Sequence, residues 1–113
     1  MILCEDYYTF GIKEKKLPSI VRSIEKGKEV KKLFAVTLPL GSSGILEIYE
    51  YNRLLEPVFS SLTPEAFIVG LAPDKEQAEE LVEAIIQDVY DDTGEKLDVK
   101  GYFKYASYTV DNT

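Results

Sequence analysis

The chain has 113 residues, 45% hydrophobic and 29% charged, with eight tyrosines, one cysteine, no histidine, no tryptophan and a formal net charge of −7. That length corresponds to one domain, residues 1–113, and that apolar share can build a core without disulfides or metal. The missing histidine excludes Ser-His-Asp and Cys-His catalysis and the His-containing zinc sites, leaving carboxylates, lysine, tyrosine or the Cys4 thiol for any chemistry.

Met1 to Asp6 carries neither a basic n-region nor the apolar run of a signal peptide, and no stretch approaches the ~20 apolar residues of a membrane span. A single cysteine cannot close an internal disulfide, so a soluble protein of the reducing cytoplasm is expected. Tyr7 to Ile12 alternates as a strand, with Tyr8, Phe10 and Ile12 on one face. Leu17, Ile20, Val21 and Ile24 then form a helical stripe, with Pro18 in its first turn and Gly27 at its end. Leu33 to Leu38 and Ile45 to Tyr51 read as two strands of a hairpin, joined through Pro39-Leu40-Gly41-Ser42-Ser43-Gly44.

From Asn52 to Pro64, Leu54, Leu55, Val58, Phe59 and Leu62 keep helical spacing that Pro57 interrupts, which predicts a short or broken helix. Ala66 to Ala72 is a continuous apolar run of strand length, as in a central strand buried on both faces. A long helix follows. Asp74 is its N-cap with Gln77 three residues on, Ala78, Leu81, Val82, Ile85, Ile86 and Val89 form its apolar stripe, and Gly94 stops it. Leu97 to Tyr105 alternates as a last strand. The predicted order is β-α-β-β-(α)-β-α-β: an α+β fold in two layers, with a mixed sheet of about five strands, two main helices and a right-handed crossover joining its last two strands.

Ile45-Leu46-Glu47-Ile48, Val69-Gly70-Leu71-Ala72, Val89-Tyr90-Asp91-Asp92-Thr93-Gly94 and Asp98-Val99-Lys100-Gly101-Tyr102-Phe103 together resemble small uncharacterised proteins of Firmicutes. The resemblance spans about half the chain. It implies a bacterial protein and a shared fold, and brings no activity, cofactor or catalytic residue.

The long helix carries Asp74, Glu76, Glu79, Glu80, Glu83, Asp88, Asp91 and Asp92 against Lys75 alone. Seven of these, Glu76, Glu79, Glu80, Glu83, Asp88, Asp91 and Asp92, form a candidate binding face for a basic partner, and equally fit a solvated outer face. Asp88, Asp91 and Asp92 crowd the negative end of the helix dipole, where each acid is unfavourable by about 0.3–1 kcal/mol. Earlier, Lys13 to Lys32 holds eight basic residues against Glu14, Glu25 and Glu29, so the chain is electrically polarised. Such clusters contact phosphates, the acidic helix of a second copy, or only water.

Tyr49, Tyr51, Tyr102 and Tyr105, with Tyr108 beyond, form a second candidate interface if their strands are neighbours, and otherwise line sheet margins. Pro73-Asp74 with Asp98-Val99-Lys100 superficially matches a metal-nuclease pattern, but Asp74 is better spent as a cap. Gly41-Ser42-Ser43-Gly44 lacks the lysine and context of a phosphate loop. Cys4 sits beside Glu5 and Asp6, which disfavour a thiolate.

The expectation is therefore a non-enzymatic interaction or regulatory module without metal or cofactor, and a homodimer. Its partner would be another protein or a second copy, with no direct nucleic-acid or membrane contact. The alternatives are an acidic nucleic-acid mimic that inhibits a nucleic-acid-binding protein, and a carboxylate-based metal enzyme.

Overall fold

The computed structural model describes residues 1–39, 45–57, 66–94 and 97–104. Among the described residues four strands form one mixed sheet: β1 Ile2–Thr9, β2 Phe34–Thr37, β3 Glu47–Glu50 and β4 Phe67–Ala72. Their spatial order is β1-β4-β2-β3. The parallel pair is β1 with β4, while β2 runs antiparallel to both β4 and β3. All six residues of β4 are buried, as its unbroken apolar run requires of a central strand.

Among the described residues the sheet is accompanied by α1 Leu17–Glu25, α2 Lys75–Thr93 and the short α3 Val99–Tyr102. Neighbouring strand residues point to opposite faces, so Ala35 and Val36 identify two separate cores. On the side of Val36, α2 and α3 bury Ala78, Leu81, Ile85, Val89, Val99 and Phe103 against Phe67 and Val69. On the side of Ala35, Ile20 and Ile24 of α1 join Leu33, Tyr51, Leu54, Ile68 and Leu71. The sheet is thus covered on both faces. Three layers replace the expected two, because the helical stripe of α1 and the aromatic ring of Tyr51 need apolar surface that the α2 face has already used.

Gly70 sets the spacing of the α2 layer. A Cβ there would stand 2.8 Å from Leu81 Cδ2 and 3.3 Å from Val36 Cβ, so only glycine lets the helix approach this closely.

Among the described strands β1 stands at one end of the order, and it begins earlier than its alternation predicts. Ile2 and Leu3 pair with Phe67 and Ile68, Tyr8 and Thr9 pair with Gly70 and Leu71, and the register shifts between Leu3 and Tyr8. The exposed Glu5 and Asp6 fall in that irregular stretch.

The last predicted strand is not one. Val99–Tyr102 is helical, Leu97 takes a left-handed φ of 45°, and the Asp98 side chain accepts a hydrogen bond from Gly101 N at 3.0 Å. Among the described residues the sheet therefore has four strands, against the expected five, and none of them follows α2 to complete the expected crossover. Between Asn52 and Pro64, the described part is a 3-10 turn over Tyr51–Leu55. The hairpin tip at 41–44 and the rest of the Asn52–Pro64 segment lie outside the described residues, as do Tyr105 and Tyr108.

Candidate functional site

The long acidic helix forms as its sequence dictates. Asp74 at the N-cap accepts from Gln77 N at 2.8 Å, and Gln77 Nε2 donates to the other carboxylate oxygen at 2.9 Å. These two bonds, both donated by Gln77, hold the Asp74 carboxyl below the usual aspartate range, the backbone bond being the main cause.

All seven acidic residues named as a binding face are exposed. They do not make one face. At about 100° per residue, Glu76, Glu79, Glu80 and Glu83 point together directly away from the core stripe. Asp88, Asp91 and Asp92 are rotated from them by about 115°, toward that stripe. Asp92 stands in line with Leu81 and Ile85, yet it is exposed because the core has ended there.

The second group meets the tyrosines. Asp88, Asp91, Asp92 and Tyr102 border one shallow hollow of about 330 Å³. Beside it, Asp6, Tyr7, Tyr8, Tyr102 and Phe103 line a cleft of about 440 Å³. Tyr8 from β1 joins the two: its hydroxyl donates to Asp88 Oδ2 at 2.7 Å and lies 2.6 Å from the Tyr102 hydroxyl. A hydroxyl has one proton, so Tyr8 spends its own on Asp88 and Tyr102 must donate to Tyr8. Edge-on contacts of Phe103 with both rings, at 5.9 and 5.1 Å between centroids, fix their positions. On the helix surface, Gln87 Nε2 donates to Asp91 Oδ1 at 3.0 Å. Glu76, Glu79, Glu80, Glu83 and Asp92 have no cationic partner among the described residues.

Burial first, then the bonds with Tyr102 and Asp88, push the Tyr8 hydroxyl far above the ordinary tyrosine value of 10.0. The unfolded chain releases this proton near pH 10 while the folded chain keeps it. Stability is therefore complete below pH 10 and falls as the pH rises further, with the folded state the tighter proton binder. Tyr8→Phe should flatten this alkaline loss, measured as the urea midpoint at about pH 9 and about pH 11. Tyr49 and Tyr51 are also raised, chiefly by burial, so the slope should shrink without vanishing. An unchanged slope would show that Tyr8 titrates alike in both states.

The other tyrosines do not converge. Tyr49 is half-buried and donates to Glu47 at 3.0 Å. Tyr51 is 0% exposed and donates to the Lys28 carbonyl at 2.9 Å, which makes it a core residue and removes it from any monomer surface. The nuclease-like pattern does not assemble either. Asp74 caps the start of α2, whereas Asp98 caps α3, beyond the far end of that helix of 19 residues, which is about 28 Å long. Among the described residues no cluster of three acidic or thiol side chains has metal-holding geometry.

No protein-family model, curated protein or solved structure matches the chain. The site therefore rests on its own geometry. Tyr8, its pivot, was not named by the sequence as a site residue, because nothing local marks a tyrosine whose partners lie 80 and 94 residues away.

Proposed function

We propose that this protein is a non-enzymatic interaction module that docks the acidic, tyrosine-lined end of α2 on a cationic protein surface, that of a second copy in a homodimer. The carrying observation is that Asp88, Asp91 and Asp92 gather with Tyr102 around one exposed hollow. Carboxylates beside a positioned aromatic ring match an arginine or lysine side chain in both charge and shape. The split of the acids into two directions favours such local docking over a long phosphate-like track, which a nucleic-acid mimic needs.

Sedimentation equilibrium tests it. At low salt the wild type should run near twice 12.8 kDa, and an Asp91→Lys, Asp92→Lys variant should run near 12.8 kDa. The Tyr8–Asp88 bond is left intact, so the fold is not at issue. A wild type that stays at 12.8 kDa at every salt concentration overturns the homodimer. The broader reading then requires a partner that the wild type retains, the variant does not, and salt releases. Equal retention by both would sink it.

A further inference from the structure

The chain leaving β1 passes to α1 on one face of the sheet, and the chain leaving β4 passes to α2 on the other. These two strands are adjacent and parallel. Where neighbouring parallel strands send their connections to opposite sides, a crevice opens beyond their carboxyl ends, and open sheets bind ligands there. Such a crevice is present, with a volume of about 290 Å³. It begins at Gly11 and Ile12 after β1 and at Pro73 after β4.

Four lysines line it. Lys13 and Lys16 come from the segment between β1 and α1, and Lys31 and Lys32 from the turn into β2. No carboxylate pairs with any of the four among the described residues. Glu14 and Glu29 flank these lysines in sequence and are exposed, and Asp74, next to Pro73, has both oxygens engaged by Gln77. Lys32 also holds a left-handed φ of 52°, a conformation that costs a non-glycine residue energy and recurs at ligand sites. Ile12, Ile20, Leu33 and Pro73 supply apolar lining, and among the described residues no aromatic ring lines the crevice for base stacking. The volume falls at the lower end of small-molecule sites and is too small for a folded partner.

We propose that this crevice binds a small phosphate-bearing molecule, its phosphate held by Lys13, Lys16, Lys31 and Lys32 and its body laid on the aliphatic lining. Four ammonium groups around one crevice repel one another until an anion enters, and lysine serves phosphate as a point charge. The first-turn N–H of α2 that would compete for the phosphate is already taken by Asp74. This proposal is independent of the docking role, whose acids lie one length of α2 away.

The test uses AMP as the probe, titrated into isotope-labelled full-length protein at constant ionic strength. Amide signals of residues 11–16 and 31–33 should shift to saturation. A Lys13→Gln, Lys31→Gln variant should bind at least about tenfold more weakly, the loss of charge-assisted bonds. A Lys26→Gln, Lys28→Gln variant, equal in charge change but outside the crevice, should bind as the wild type does. Both must keep the wild-type melting temperature without ligand; if the first does not, Lys16→Gln alone takes its place. Shifts that never saturate, or equal weakening in both variants, would overturn the proposal. So would failure of AMP where a single-stranded 12-mer, or a second copy blocked by Asp91→Lys, Asp92→Lys, shifts the same signals.

Discussion

Tyr51→Ala should remove a large share of the folding stability and lower the urea midpoint markedly. The side chain is fully buried, and removing a core aromatic costs about 3–5 kcal/mol, out of a total stability of about 5–15 kcal/mol. The same change strips the Lys28 carbonyl of its Tyr51 donor. Tyr51→Phe separates the two contributions, since it keeps the ring and should cost only about 1 kcal/mol. Urea unfolding followed by circular dichroism would read both. A Tyr51→Ala midpoint close to wild type would mean that the α1 face of the sheet has no cooperative core.

The next largest effect is expected at Gly70. Alanine there gains about 0.5–1 kcal/mol by restricting the unfolded chain, but its Cβ meets Leu81 Cδ2 at 2.8 Å and Val36 Cβ at 3.3 Å. Overpacking of about 1–3 kcal/mol outweighs the gain, and Gly70→Val, with two further carbons, should reach the upper end or beyond. A double-mutant cycle with Leu81→Ala gives the cause. If crowding against α2 is the reason, the combined loss should be smaller than the sum of the two single losses. Strict additivity would place the strain elsewhere.

These two positions also show where sequence reading works. β4 and α2 were legible because burial and capping act locally. Phe67–Ala72 is apolar throughout, and Asp74 with Gln77 spells its own cap. Leu97 to Tyr105 misled for a physical reason. Val99 and Phe103 are four apart, so they suit one face of a strand and one face of a helical turn alike. Asp98 decides for the helix by capping Gly101 N, a choice that alternation cannot register. The early start of β1 was hidden because Glu5 and Asp6, both exposed, break the apolar pattern.

The candidate site was half legible. Asp88, Asp91 and Asp92 stood out as acids at the wrong end of a dipole, and Tyr102 as a tyrosine near a sheet. That they meet depends on α3 folding back and on Tyr8 arriving from the first strand, which no local pattern encodes. The lysines of Lys13 to Lys32 were visible as charge. Their convergence follows only from α1 and α2 lying on opposite faces.

The pairing of β1 with β4 also fixes an order of assembly. Ile2 meets Phe67, whereas Phe34 meets Glu50 and its hairpin can close early. During synthesis, at roughly 5–20 residues per second, the first strand emerges several seconds before the strand that completes it. Closing so distant a contact is slow, and it precedes most of the burial that rewards it. The first strand is therefore made well before Phe67–Ala72, the partner that completes its pairing in β4.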